Sequence, residues 1–281
     1  MTRVAIVTDS SASLPDGVAE ELGVVVVPLQ VVIGATSYDE DEATTDMVAE
    51  ALRSFTPVST SRPTPAAMAE VYAAAAARGA EAIVSIHLSR ELSGTFDSAE
   101  VAARDSSVPV LAVDGRQVGH ATGYAVMAAA RVAATGASAE EVAAAARARA
   151  DASTSLFYVD TLEYLRRGGR VGAAAALIGG ALAVKPLLGL EDGRIVSLEK
   201  VRTAGKALAR LEDLAVESAD GAKVEATVAH LASPDRAEQL GARLSERLDL
   251  VTPVRIAELG AVLGAHVGPG MVSVCVAPAL D

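Results

Sequence analysis

Short runs of β-branched residues alternate with longer alanine-rich stretches through the first half of the chain, which limits its possible folds more than any single motif. The runs predict strands over residues 4–8, 24–27, 82–86 and 110–113. The stretches predict helices over residues 15–22, 45–55, 65–78, 96–103, 119–134 and 139–150, with Ser13, Thr44 and Ser138 as N-caps. Strands alternating with helices are typical of βαβ units, so we expect an α/β/α domain built on a parallel sheet.

The pattern changes at residues 150–155, where the helical periodicity is interrupted. Beyond this point, residues 187–190 and 195–201 predict a hairpin around the turn Glu191-Asp192-Gly193-Arg194. Helices over 204–217 and 234–248 and strands over 224–231, 254–258 and 271–276 complete the pattern. We therefore expect an α/β protein of two domains, residues 1–152 and residues 153–281.

Charge and composition exclude several classes of partner. The 281 residues carry a formal net charge of −12 with 3% aromatic residues, which disfavours nucleic acid and all but transient contact with an anionic membrane. The longest apolar stretch, residues 171–184, is shorter than the roughly 20 residues of a spanning helix. Cys275 is the single cysteine. We expect a cytoplasmic protein with no internal disulfide, no metal and no other cofactor.

Two hydroxyl-rich segments precede predicted helices of the first domain. Residues 59–65 contain Thr60 and Ser61, and residues 89–95 contain Ser93, Gly94 and Thr95. Each is expected at a helix N-terminus, where free N–H groups favour an anion, and Gly94 would allow a ligand or a backbone to approach closely. Each segment alone is explained equally well as an ordinary helix cap. If both follow strands of one parallel sheet, they converge at its ligand-binding edge.

The second domain offers a histidine and two arginines. His266 lies in the glycine-rich segment 264–270, which we interpret as a loop that exposes the imidazole, with an ordinary turn as the alternative. Arg170 and Arg202 are placed to reach a phosphate or the acidic groups of a partner. The acidic run 39–42 is interpreted as a solvated loop rather than a metal site, and His87 as a histidine that satisfies local hydrogen bonds.

Taken together, these segments show that the chain resembles the DegV family of bacterial fatty-acid-binding proteins along nearly its whole length. The resemblance is carried by several short segments in the expected order: Val7-Thr8-Asp9-Ser10-Ser11, Thr60-Ser61-Arg62-Pro63-Thr64-Pro65, Leu92-Ser93-Gly94-Thr95-Phe96, residues 165–171, Lys185-Pro186, Lys200-Val201-Arg202-Thr203 and His266-Val267-Gly268-Pro269-Gly270. It implies a parallel α/β/α domain and a second α/β domain with a mixed sheet.

The resemblance also implies a function. Family members bind one long-chain fatty acid in a buried apolar pocket and, where a fatty acid kinase is present, hold its carboxylate for conversion to an acyl phosphate. By motif, Thr60 and Ser93 would contact the carboxylate, with Ser61, Gly94 and Thr95 beside them, and His266 would close over it. Arg170 and Arg202 would face the kinase or the incoming phosphate. Tail-lining candidates are residues 24–27, Ile86 and residues 173–188.

The chain departs from the family pattern at three positions. Arg62 stands where glutamine is common, Gly115 where serine is usual, and His120 begins a helix whose start is usually glycine-rich.

Two other classes of function remain open. One is a serine hydrolase that uses Ser93 with His266 as base, although the sequence nominates neither an orienting acid nor an oxyanion hole. The other is a binding protein for a small phosphorylated metabolite held by the two helix N-termini and Arg170.

Overall fold

The structure, a computed structural model, describes residues 3–177 and 185–279. The chain forms two compact units, one of residues 1–30 and 61–151 and the other of residues 31–60 and 152–281. The sequence predicted a single division near residue 152, and the structure differs by grouping residues 31–60 with the second unit. No helix within the described ranges is long and apolar enough to span a membrane.

The first unit is built on a four-stranded parallel sheet in the order β2-β1-β6-β7, with strands numbered along the whole chain: β1 Val4–Asp9, β2 Val25–Val27, β6 Ala82–His87 and β7 Val110–Asp114. All six residues of β6 are buried, as expected of a strand covered on both faces. The helices of this unit are α1 Val18–Glu21, α3 Pro65–Ala77, α4 Thr95–Ala103, α5 His120–Ala134 and α6 Ala139–Ala152.

Helices cover both faces of this sheet, which confirms the predicted α/β/α architecture. On one face, Ile6 and Val84 pack against α5 and α6. On the other face, Val7 and Ile83 pack against α3 and α4. The predicted N-cap Ser138 accepts a hydrogen bond from Glu141 N at 3.3 Å, and the Glu141 carboxylate accepts one from Ser138 N at 2.8 Å.

The segment after β1 differs from its prediction. Instead of a helix over residues 15–22 capped by Ser13, a single 3₁₀ turn covers Ser10–Ala12 and α1 starts only after Gly17. The Asp9 carboxylate accepts a hydrogen bond from Ser11 N, so the chain turns directly after β1, before the predicted helix start at residue 15. Ser13 follows the turn with φ 50°, a left-handed conformation that an N-cap does not adopt.

The second unit contains a three-stranded sheet and a six-stranded mixed sheet. The small sheet has the order β4-β3-β5, and its strands are β3 Gln30–Ile33, β4 Thr36–Asp39 and β5 Val58–Ser61. Helix α2 Thr45–Arg53 connects β4 to β5, and Thr44 caps it as predicted by accepting from Met47 N. These elements lie in a part of the chain for which the sequence predicted only the helix.

The mixed sheet has the order β10-β9-β8-β13-β11-β12, in which only β11 and β12 are parallel: β8 Thr154–Tyr158, β9 Lys185–Glu191, β10 Arg194–Val201, β11 Val224–His230, β12 Arg255–Glu258 and β13 Val272–Pro278. The predicted hairpin is confirmed, because Arg194 pairs with Glu191 and the turn residues Asp192 and Gly193 both have positive φ. The helices are α7 Glu163–Arg167, α8 Ala204–Ala219, α9 Pro234–Arg247 and α10 Ala261–Val267.

One face of the mixed sheet forms the core of the second unit. Leu211 of α8 and Leu240 of α9 are fully buried against Val228 and Val274. Glu212 joins the two helices by accepting hydrogen bonds from the side chains of Arg243 at 2.6 Å and Arg247 at 2.7 Å. The mixed sheet implied by the resemblance is therefore present.

Candidate functional site

Thr60 and His266 form a hydrogen-bonded pair inside the second unit. Thr60 Oγ1 lies 2.8 Å from His266 Nε2, although 206 positions separate the two residues in sequence. β5 supplies the threonine and the last turn of α10 supplies the histidine. The sequence predicted a loop at His266, which is wrong. Gly264 instead lies within α10 against Leu231, and the helix ends at Gly268.

The imidazole of His266 is neutral at ordinary pH. Burial, together with the positive charge of Arg170, lowers its pKa from the usual value to about 4. Its Nδ1 is fully buried and has no hydrogen-bond partner among the described residues. A Cβ on Gly168 would lie only 2.2 Å from this atom, so the glycine leaves just enough room for the ring.

These contacts assign the proton of the ring. A proton on Nδ1 would be a buried N–H without an acceptor, which is costly, whereas a proton on Nε2 is donated to Thr60 Oγ1. The hydroxyl hydrogen of Thr60 is then available to an external acceptor, such as a carboxylate oxygen.

The segment after α7, which contains Gly168 and Arg170, lies next to His266. Arg170 Nη1 donates to Gly168 O at 2.6 Å, which folds the arginine back over the Gly168-Gly169 turn. Arg166 and Arg167 both donate to the exposed Glu163 and thereby lower the pKa of its carboxyl to about 2. Of the three arginines, Arg170 is the one whose charge acts on His266.

The turn after α10 is packed too closely for any side chain at its glycines. A Cβ on Gly268 (φ 76°) would lie 2.0 Å from Tyr164 Cδ2, and one on Gly270 (φ 88°) would lie 2.0 Å from Asp160 Oδ2. Asp160 in turn accepts a hydrogen bond from the Tyr158 hydroxyl at 2.5 Å. This hydrogen bond and burial raise the pKa of Tyr158.

Cations also surround Asp160. Lys185 Nζ lies 3.3 Å from its Oδ1, and Arg236 Nη1 lies 3.4 Å from its Oδ2 and 3.2 Å from Gly270 O. Despite burial, the hydrogen bond from Tyr158 and these cations lower the pKa of the Asp160 carboxyl. Asp160 was not predicted as a site residue from the sequence; its position just after a buried strand, β8, was the available signal.

The acidic run 39–42 is not simply a solvated loop, which corrects its interpretation. Asp41 and Glu42 are exposed, but Glu40 Oε1 accepts a hydrogen bond from Val262 N of α10 at 2.9 Å. No group of three or more histidine, cysteine or acidic side chains suited to a metal occurs in the described ranges.

The second hydroxyl cluster lies in the first unit, after β6. Ser93 Oγ is 2.9 Å from Thr95 Oγ1, and Thr95 is the first residue of α4. The space beside Gly94 is taken by Arg62, whose Nη1 would lie 1.8 Å from a Cβ at that position. Ser61 is exposed.

The expectation that both clusters follow strands of one parallel sheet is wrong. The second cluster follows β6 of that sheet, but Thr60 lies within β5 of the separate three-stranded sheet β4-β3-β5. The strand β5 was not predicted because Val58-Ser59-Thr60-Ser61 has a single apolar residue.

Arg202 is exposed and directly precedes Thr203, which caps α8 by accepting from Lys206 N at 3.3 Å.

In the first unit, Gly115 N donates to His87 O at 2.9 Å, and a Cβ on Gly115 would lie 2.8 Å from that oxygen. His120 is buried as the first residue of α5.

A buried polar chain crosses the first unit. The Tyr72 hydroxyl donates to Ser85 Oγ at 2.9 Å, and Ser85 Oγ lies within hydrogen-bond distance of His87 Nε2, at 2.7 Å. His87 Nδ1–H then donates to Asp9 Oδ2 at 2.8 Å. The interpretation of His87 as a locally bonded histidine is confirmed. All four side chains are buried, which denies a substrate access to this Ser-His-Asp arrangement.

A cavity of about 400 Å³ opens beside Asp9 at the carboxyl end of β1, with Asp16 and Glu20 also in its wall. Three carboxylates disfavour an anionic ligand there.

Of the tail-lining candidates, Val24 and Ile86 belong to the packed core against α5 and α6, and Leu187 and Leu188 are buried in β9. Residues 178–184 of the predicted lining lie outside the described residues.

The chain is similar to known proteins over nearly its whole length. A family model described as "Uncharacterised protein, DegV family" matches residues 3–279. The DegV domain-containing protein SCO2569 of Streptomyces coelicolor is 53% identical over 275 residues, which cover 98% of this chain and 98% of that protein.

Solved structures share the fold, and two of them serve as examples. A DegV family protein from Thermus thermophilus, described for its fatty acid binding, is 33% identical with a TM-score of 0.93, over 99% of this chain and 100% of that one. DegV from Bacillus subtilis, described as a fatty acid binding protein, is 31% identical with a TM-score of 0.90, again over 99% of this chain and 100% of that one.

Proposed function

This chain belongs to the DegV family, and we propose that it binds one long-chain fatty acid and holds its carboxylate at Thr60. The observation that carries this proposal is the Thr60–His266 hydrogen bond of 2.8 Å, with a neutral imidazole that leaves the threonine proton free to be donated. Solved relatives that are described by their fatty acid binding, among them the proteins from Thermus thermophilus and Bacillus subtilis, support the ligand class.

The remaining head-group contacts are proposed from the family resemblance. Ser93, with Gly94 and Thr95 at the start of α4, supplies a second hydroxyl donor, Ser61 flanks Thr60, and His266 closes over the carboxylate. A tail of about 14 methylenes at roughly 0.8 kcal/mol each contributes on the order of 11 kcal/mol gross. One charged hydrogen bond contributes about 1.5 to 3 kcal/mol. The tail therefore supplies most of the affinity, and the hydroxyls fix the position of the head group.

Titration with palmitate tests the head-group assignment. Thr60→Val keeps the shape of the side chain and removes the donor, so we expect affinity to fall about tenfold or more. Ser93→Ala should have a similar effect. Thr252→Val makes the same chemical change at an exposed position and serves as the control. Equal affinity of parent, Thr60→Val and Ser93→Ala would refute the assignment.

As a further part of the proposal, the bound acid is presented in the cytoplasm to a separate fatty acid kinase, and the chain itself performs no turnover. Arg202, exposed before α8, and Arg170, beside His266, would contact the kinase or the phosphate. Arg202→Gln should then keep palmitate affinity but reduce acyl phosphate formation by a fatty acid kinase with ATP. Unchanged acyl phosphate formation would remove Arg202 from the proposal.

The hydrolase alternative gains no support from the geometry. His266 Nε2 is hydrogen-bonded to Thr60, and within the described residues no carboxylate contacts His266 Nδ1 to orient the ring.

A further inference from the structure

Glu40 takes the place of a missing helix cap. α10 begins after Gly260, which has no side chain to accept from the first N–H groups of the helix. Glu40 Oε1 accepts from Val262 N at 2.9 Å instead. A Cβ on Gly260 would lie 2.4 Å from the same oxygen, so the glycine makes room for the incoming carboxylate.

This contact bears on His266 because α10 is short. The helix has seven residues, fewer than an isolated helix needs to be stable, and His266 is the sixth of them. A carboxylate at its N-terminus is stabilised by the helix dipole. Helix α10 also packs against α2, the helix that follows Glu40 in the chain. His266 lies one turn after Val262, so a shift of the amino-terminal end of α10 also shifts the imidazole.

We propose that Glu40 is a positioning residue of the head-group site, which keeps His266 Nε2 within hydrogen-bond distance of Thr60 Oγ1 by holding the start of α10. The binding consequence rests on the proposed function, whereas the effect on His266 does not. Asp41, the next residue, is exposed and provides a control of equal charge.

The pKa of the His266 imidazole, measured by NMR, distinguishes positioning from simple electrostatics. Loss of a negative charge alone lowers the pKa of a histidine, whereas loss of burial raises it. In Glu40→Ala we expect the pKa to rise from about 4 towards its usual value. Glu40→Gln keeps an acceptor oxygen and should stay near the parent, as should Asp41→Ala. His266→Gln assigns the resonance.

Gly260→Ala tests the same contact from the other side. Its φ of −61° suits alanine, but the new Cβ displaces the Glu40 carboxylate, so the pKa of His266 should rise here as well. Gly205→Ala, which meets no atom within 4 Å, is the control. Both disruptive variants should weaken palmitate binding about three- to tenfold, the effect of losing one helix cap.

An unchanged or lowered pKa of His266 in Glu40→Ala and Gly260→Ala overturns the positioning role. If Glu40→Ala does not fold, Gly260→Ala gives the decision. If the parent binds no palmitate, the proposed function fails, and the NMR titration still decides the role of Glu40.

Discussion

Thr60 and His266 show how two side chains acquire a role that neither has alone. The histidine is kept neutral by burial and by Arg170, and its one N–H goes to the threonine. The threonine is thereby left with a proton to donate. Both residues were predicted as site residues from their motifs, but their contact was not, because 206 positions separate them.

The lowered pKa of His266 makes stability depend on pH. Between pH 6.5 and about 4 the unfolded chain binds a proton at this residue and the folded chain does not, so stability falls as the pH falls through this window. We expect the parent to lose up to about 3 kcal/mol more than His266→Gln between pH 7.5 and 4.5. Urea unfolding at the two pH values measures this difference, and parallel losses in the two proteins would contradict it.

The buried chain from Tyr72 to Asp9 has a direction, and its two ends should respond differently. Asp9 accepts from His87, Ser11 and Leu88, and hydrogen bonds to a charged group contribute about 1.5 to 3 kcal/mol each, so Asp9→Asn, which weakens more than one of them, should cost about 3 kcal/mol or more. Tyr72 only donates at the far end, so Tyr72→Phe should cost about 1 kcal/mol. Urea unfolding at neutral pH compares the two variants, and equal losses would refute the assigned direction.

Helix α10 could not be predicted from local sequence patterns. Its sequence Ala-Val-Leu-Gly-Ala-His-Val is followed by Gly-Pro-Gly, and the glycines predicted a loop. Gly264 is instead tolerated inside the helix because Leu231 packs against it, and Glu40 supplies the cap from the turn after β4, far away in sequence. Both contacts are long-range, so local periodicity could not reveal them, whereas the parallel strands and the Asp192-Gly193 hairpin follow from local sequence alone.

The turn after α10 should be intolerant of alanine. Gly268→Ala and Gly270→Ala each combine a left-handed backbone with a Cβ placed 2.0 Å from Tyr164 or Asp160. We expect each to lower stability by about 2 kcal/mol or more, since the backbone alone costs roughly 1 to 2. Gly205→Ala, with open space around its Cβ, should instead be neutral or stabilising by up to about 1 kcal/mol. Urea unfolding that ranks the three alike would contradict this.

Residues 31–60 were predicted from the sequence to belong to the first domain, but they group with the second unit. Their strands are short, β4 and β5 are mostly polar, and β3 to β5 pair only with one another within the described residues. What ties them to the second unit is the packing of α2 against α10 and the contacts of Glu40 and Thr60. None of these has a signature in local composition.

A fragment of residues 153–281 therefore lacks half of the site. Without residues 31–60 it loses Thr60, Glu40 and the helix that packs on α10. We expect its His266 to titrate near the ordinary histidine value, in contrast to about 4 in the whole chain. NMR titration of the fragment checks this, and a pKa that stays near 4 would show that the segment does not shape the site.

Native mass spectrometry of the whole protein as purified, followed by solvent extraction of any bound lipid, tests the central claim most directly. We expect one fatty acid per chain in the parent, absent or strongly reduced in the Thr60→Ala/Ser93→Ala double variant. A parent that carries no lipid and does not take up added palmitate or oleate would contradict fatty acid binding.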